Sequence, residues 1–498
     1  MNFKMVFNVV GKMLMLLAAL LILPTIVSLI YDEQLRITIS FFSTVIVCFL
    51  LSVIMHYLTK DVTERDFYKR EGYVIVTLTW VIFSLLGALP FYLSGEIPHY
   101  IDSLFETVSG FTTTGSTILQ DIESLSKSLL FWRSFTHFIG GMGVIVFALA
   151  ILPRSPHTIH IAKAEVPGPT FGKLVSKLST TARMLYKIYI VMTIVLIILL
   201  MFGGLDLFES SLLAFGTAGT GGFGARNGSI LPYNSPYIEV VLGIGMIVFG
   251  VNFNIYYFIL IGKIKDVFKN EELKYYLLIV FGAIVLIVLN ICKSYDSILH
   301  CIRDVFFSVS SVITTTGYST TDFDLWPKLS QAILVLLMFI GACAGSTGGG
   351  IKVSRIWILF KSIKKEMHLY LHPRNVEKVY MDRHPVEHDT MRSVNIYLAV
   401  YIVIFLASLL GICAIENTDL VTAFTSVAAT FNNIGPGLSL VGPTANFGWM
   451  QPVSKFILMF DMLAGRLEIW PMLLLFYPRL WRNAIGLRNS YRRMEDGR

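Results

Sequence analysis

Ten runs of roughly twenty apolar residues, at 9–30, 37–58, 73–94, 129–152, 185–202, 237–261, 273–291, 329–360, 394–415 and 453–476, decide most of what this chain can fold into. A helix of about 20 residues covers the roughly 30 Å of hydrocarbon in a bilayer, so each run is long enough to cross. The eighth is too long for one crossing, and a glycine-rich polar stretch at 341–350 interrupts it. Of the 498 residues, 55% are hydrophobic and 15% charged. Soluble domains carry about 25% charged residues, and a single soluble core stops growing near about 250–300 residues. The bilayer is the natural solvent for this composition. The first run is too long for the apolar part of a cleavable signal and lacks a small-residue cleavage site, so it reads as a first transmembrane helix.

The net charge of +7 does not point to nucleic acid, because the basic residues sit in alternate loops. Lys60, Arg65, Lys69 and Arg70 follow the second run, and Arg154, Lys163, Lys173 and Lys177 the fourth. Lys263, Lys265 and Lys269 follow the sixth, Lys361, Lys364, Lys365 and Arg374 the eighth, and the tail adds Arg479, Arg482, Arg488, Arg492 and Arg493. A positive-inside bias then puts both termini in the cytoplasm. The five cysteines (Cys48, Cys292, Cys301, Cys343, Cys413) are scattered without metal-binding spacing and read as buried structural thiols.

The opposite set of loops carries a repeat. Four segments begin at Asp102, Asp206, Asp304 and Asp419, run through a short apolar or hydroxyl-rich stretch, and end at Gly115, Gly221, Gly317 and Gly435. Each lies between two apolar runs, giving four copies of helix, re-entrant loop, helix, preceded by two further helices. A stretch of about ten residues makes a helix of roughly 15 Å, half the hydrocarbon thickness, so it can enter and stop but not cross. Its return as extended backbone is tolerated only inside protein or along a watery cavity. Four such returns around one axis would stack carbonyl oxygens in rings able to replace a cation's hydration shell, with the negative helix C-termini pointing inward. Glycine supplies the left-handed backbone such a turn needs. The acids at the segment starts suit helix N-termini and could draw cations into an outer vestibule.

These motifs resemble those of the Trk/Ktr/HKT superfamily of K+ transporters, and within it the TrkH/TrkG type with two additional N-terminal helices. FTTTGST at 111–117, TAGTGGF at 217–223, TTTGYST at 314–320 and NNIGPG at 432–437 resemble its four filters. GGMG at 140–143, AGSTGGGIKV at 344–353 and GRLE at 465–468 match further family patterns, while His137 stands where a glutamine is expected. The resemblance implies an all-α integral membrane fold: four pseudo-repeats around a central pore. It implies K+ bound by Thr112, Thr113, Thr114 and Gly115, by Ala218, Gly219, Thr220 and Gly221, by Thr314, Thr315, Thr316 and Gly317, and by Asn432, Asn433, Ile434 and Gly435. It implies a gate formed by Gly345, Ser346, Thr347, Gly348, Gly349 and Gly350 with Arg466, a homodimer, and a cytosolic nucleotide-binding ring as regulatory partner. No cofactor is expected on this chain, K+ being the cargo. In that superfamily, filter glycines in all four segments go with K+ and a serine in the first with Na+, so the resemblance implies K+ preference.

The expected division is 1–70 for the two N-terminal helices, then repeats at 71–165, 166–268, 269–375 and 376–498. Charges in the middle of a span are functional by default. Arg466 is therefore a conduction or gating candidate, and for Asp461 and Glu468 a structural ion pair buried between helices is the alternative. His368, His372, His384 and His388 form two pairs four residues apart, but nothing completes a metal set, and a surface for the cytosolic partner fits them better. The run AGSTGGGIK lacks phosphate-loop spacing and no strand precedes it. A Na+-selective or ion-coupled transporter of the same fold is the alternative function. A polytopic enzyme acting on lipid would need a convergent catalytic cluster, which the outer loops lack.

Overall fold

The computed structural model describes residues 3–60, 69–141, 143, 178–375 and 377–478. Arg65, the loop bearing Arg154 to Lys177, the end of the 129–152 run, the repeat boundary at 165/166 and the tail from Arg479 lie outside the described residues. Within them, six helices are long and apolar enough to cross a membrane: Phe3–Ile30, Leu35–Leu58, Glu71–Ser94, Ala182–Phe202, Glu271–Ser294 and His388–Ile415. Their outward faces are apolar: Phe42, Leu50, Ile54, Val191, Phe281, Leu289, Val403 and Leu410 are all exposed. A surface of that kind requires lipid.

The first two helices form a hairpin drawn together at Gly11, where an added Cβ would come within 3.0 Å of the Met55 Cβ and whose carbonyl accepts the Ser52 hydroxyl at 2.7 Å. They pack against the third crossing and join a core shared with the first and last repeats, containing Trp80, Phe111, Trp132, Phe431 and Met462. Separate clusters fill the second repeat, around Tyr189 and Phe249, and the third, around Tyr276 and Met338. Cys48, Cys301 and Cys343 are buried, but Cys413 is exposed on the outer face of His388–Ile415 and Cys292 is only half-buried, so burial holds for three of the five thiols.

Three other runs are broken. The 329–360 run divides into Lys328–Ile340 and Val353–Leu371, with Gly341 and Lys352 in left-handed conformations at the break. The 237–261 run is not one helix either: Pro236–Phe249 and Phe253–Leu260 meet at 89°. At that corner the Gly250 carbonyl accepts from the Cys343 amide (3.1 Å) and the Phe253 amide donates to Gly345 (3.0 Å), so backbone from the neighbouring repeat replaces helical partners. The last run stops at Arg466 and resumes at Trp470–Leu475, with Glu468 (φ 58°) and Ile469 (φ 67°) between.

Between crossings lie four short buried helices, Tyr100–Phe111, Leu207–Gly219, Ile298–Ile313 and Leu420–Phe431. At 12, 13, 16 and 12 residues they are too short to span. Asp206 and Asp419 cap two of them, accepting from the amides of Glu209 (2.9 Å) and Thr422 (3.1 Å). The Thr422 hydroxyl and amide hold the Asp419 carboxyl below the usual range, which keeps it ionised at the positive helix end.

Candidate functional site

Each short helix ends in the same way. Thr113, Thr220, Thr315 and Asn433 take φ of 54°, 54°, 58° and 55°. Left-handed backbone costs a non-glycine residue about 1–3 kcal/mol and gathers at functional sites. The next amide turns back onto its own helix, Thr114 to Ser109 (2.9 Å), Gly221 to Gly216 (2.8 Å), Thr316 to Ser311 (2.9 Å) and Ile434 to Ala429 (2.8 Å). A glycine with positive φ follows: Gly115 (84°), Gly222 (77°), Gly317 (85°) and Gly435 (102°). The second segment is thus shifted by one residue from the sequence expectation. Gly222, not Gly221, is the counterpart of Gly115, and Ala218 belongs to the helix one step before the turn.

The four segments close on one another in cyclic order. A Cβ on Gly115 would strike the Gly221 carbonyl oxygen, one on Gly222 that of Thr316, and one on Gly317 that of Ile434. One on Gly435 would lie 2.9 Å from the Thr114 oxygen, which completes the circle. Every glycine abuts the carbonyl preceding the equivalent glycine of its neighbour. Among the described residues no donor reaches the carbonyls of Thr113, Thr114 and Gly115 or their counterparts, except that Gly435 accepts the Ser116 hydroxyl at 3.0 Å. Buried carbonyls demand a partner; amides turned outward and carbonyls left without protein donors suit a cation.

Three acids at the starts of the short helices have basic partners, whereas Asp206 and Asp419 are the N-caps described above. Asp102 binds Lys455 (2.6 Å), Glu209 binds Arg226 (2.9 Å), and Asp304 lies 3.5 Å from His300 and 3.9 Å from Arg303. Each of the three has a basic side chain beside it, so they do not present a bare acidic vestibule. Glu106 is buried against Arg133 at 2.6 Å and also accepts the Thr117 hydroxyl and the Ile118 amide. Arg133 stacks 3.5 Å over the Phe223 ring and donates to the Gly224 carbonyl. This brace between the first and second segments was missed in the sequence, although an arginine inside an apolar run was the signal for it.

At the helix side of the ring lies the glycine-rich break. The Gly349 amide donates to the Thr315 hydroxyl (2.6 Å) and the Gly350 amide to the Asn432 carbonyl (3.1 Å). Glu272 holds both sides of the break through the amides of Ala344 (2.6 Å) and Ser354 (3.2 Å). Arg466 donates to the carbonyls of Thr347 (2.6 Å), Gly140 (2.5 Å) and Gly141 (2.6 Å), which joins the loop to the first repeat. Glu468 pairs with Arg355, and Asp461 accepts from Ser408 at 2.7 Å. The helix carrying Asp461 ends at Arg466, and Glu468, just beyond it, forms its ion pair with Arg355 of a neighbouring helix.

His368 lies 3.1 Å from Glu377 and against His372, while His384 sits in a two-residue hairpin strand, His384–Pro385 paired with Tyr380–Met381. Among the described residues no group of three potential metal ligands gathers.

Comparison with known proteins agrees with this geometry. Residues 37–483 match the TrkH family model, described as cation transport protein. The chain is 35% identical over 489 residues to the Trk system potassium uptake protein TrkH of Escherichia coli K12, covering 97% of this chain and 100% of the relative. It is 34% identical over 493 residues to the TrkG protein of the same organism, with 96% and 99% covered. The crystal structure of the potassium transporter TrkH from Vibrio parahaemolyticus superposes with a TM-score of 0.86 at 30% identity, covering 97% of this chain and 100% of that one. With its apolar crossings and its four re-entrant segments, this multi-pass membrane protein belongs to the TrkH family of cation transport proteins.

Proposed function

We propose that the chain takes up K+ across the cytoplasmic membrane through the ring formed by its four filter segments. The observation that carries this reading is the cyclic contact of Gly115, Gly222, Gly317 and Gly435 with their neighbours' carbonyls, which leaves unbonded oxygens around one axis. Carbonyl rings exchange their oxygens for the ion's water, and four short helices direct their negative ends toward the same place. The relatives named as potassium uptake proteins support K+ as the cargo. In this reading Thr112 to Gly115, Gly219 to Gly222, Thr314 to Gly317 and Asn432 to Gly435 bind the ion.

The loop from Gly345 to Gly350 is the gate, held across the inner end of the ring by Arg466, Thr315 and Asn432. Val353–Leu371 leads from the loop to the basic cytosolic side, where a nucleotide-binding ring would act on a dimer of this chain. Both termini are cytoplasmic and the repeats divide near 71, 166, 269 and 376. Purified protein in liposomes, assayed with K+ and Na+ gradients separately, tests the central claim. Flux of K+ well above Na+ is expected; equal flux of both, or flux of neither with the cytosolic partner present, rejects it.

A further inference from the structure

The second filter segment differs from the others in what stands behind it. Thr114 and Thr316 place side chains in the protein behind the ring, each hydroxyl 2.8 Å from that of Thr112 or Thr314, and Ile434 packs into the apolar cluster of the third repeat. Gly219 and Gly221 occupy the corresponding positions of the second segment and have no side chains. The space is filled from the first repeat by His137, which is fully buried. A Cβ on Gly221 would strike three atoms of the imidazole, and one on Gly219 would strike the His137 carbonyl. His137 Nδ1 lies 2.8 Å from the Gly110 carbonyl; a carbonyl only accepts, so Nδ1 carries the proton. The ring is also fixed 4.1 Å from that of Phe223.

We infer that His137 is a positioning residue for ion selectivity, its ring standing in for the side chain that Gly221 lacks and holding the second segment in the geometry of the other three. The inference rests on the filter reading above. Close packing transmits small changes in volume, so an emptied space behind Gly221 lets that segment's carbonyls leave the ring. The wedge and the glycine form a matched pair: neither side tolerates change alone, and a side chain restored at 221 compensates for a smaller one at 137.

The test is uptake of Rb+ and of Na+ by cells lacking other K+ uptake, normalised to the amount of protein in the membrane. The variants are His137→Asn, His137→Ala, Gly221→Thr and the double variant His137→Ala/Gly221→Thr. Asparagine keeps a donor for Gly110 but loses the far side of the ring. His137→Asn and His137→Ala are each expected to lower the Rb+/Na+ ratio by at least about fivefold, within the coupling found between touching residues. Gly221→Thr alone is expected to lose uptake, and the double variant to regain a ratio above either single variant. A normal ratio in His137→Asn, or a double variant no better than the singles, overturns the proposal. If His137→Ala does not accumulate, the Asn variant and the double variant still decide it. Gly115→Ser, run alongside, separates the two levels: altered selectivity there with none in the His137 variants rejects the wedge alone, and no change in any of them rejects the filter reading.

Discussion

Gly222 and Gly221 show what a one-residue shift means at the filter. Gly222 has positive φ and meets the Thr316 carbonyl, so a side chain there breaks into the ring as one at Gly115 would. Gly222→Ser and Gly115→Ser are therefore expected to lower the K+/Na+ permeability ratio to a similar degree, with protein abundance changed less than the ratio. Relative Rb+ and Na+ uptake reads this, and a neutral Gly222→Ser would undo the register assigned to the second repeat. The shift was not legible because TAGTGG offers two successive glycines and the sequence gives no reason to prefer the second. Glu106 and Arg133 yield a prediction of another kind. Both side chains are almost completely buried, and removing one partner of such a pair leaves an uncompensated charge at a cost of about 3–5 kcal/mol. Glu106→Ala is expected to cut the yield of folded protein severely while distant surface variants do not, as size-exclusion profiles in detergent would show.

Among the elements, the broken crossings are where the proposed gate would sit. The glycine-rich break was legible, since six glycine or small polar residues in a row exceed what a kink needs. The break after Arg466 was not: Glu468 and Ile469 adopt left-handed backbone, which neither residue type announces, and their place is set by the Arg355–Glu468 pair. The corner at Gly250 was equally hidden, because its partners come from the loop 90 residues on, at Cys343 and Gly345. There is no room for a side chain at Gly349, where a Cβ would strike the Asn432 carbonyl. Gly349→Ala is thus expected to disfavour the seated loop and raise flux in the absence of the partner. Deleting 346–349 is expected to give high, partner-independent flux with selectivity kept. Arg466→Ala should act in the same direction by releasing Thr347. It also removes a charge that, at about 8 Å and an effective dielectric near 20, repels a cation by roughly 2 kcal/mol. Liposome flux with and without the cytosolic partner measures all three. Low, fully partner-dependent flux after the deletion would mean that the loop is not the gate.

Across the whole molecule, the plan of crossings and four re-entrant segments was legible because it repeats, and each copy is improbable as an ordinary loop. What the repeats hide is their inequality. At one equivalent position of the short helices stand the paired acids Asp102, Glu209 and Asp304, whereas the fourth helix has Thr422 there. Among the described residues the first has the Glu106–Arg133 brace, and the second has the His137 ring of the first repeat against its Gly221. The proposed ion site would correspondingly be a property of the assembled chain, since each filter glycine abuts its neighbour's carbonyl and the circle closes only where the first and fourth segments meet. A cation held there binds the folded state and not the unfolded one, so it must stabilise the fold by mass action, by about 2.7 kcal/mol at a hundred times its Kd. Thermal unfolding in detergent at constant ionic strength is therefore expected to move upward when Na+ or choline is replaced by K+, and to move equally with Rb+. Gly115→Ser should lose that difference between ions while retaining a cooperative transition. The Gly349→Ala protein, altered in the glycine-rich loop and not in the ring, should keep it. An unfolding temperature indifferent to the cation in the unaltered protein would show that the circle of carbonyls holds no ion selectively, whatever its geometry.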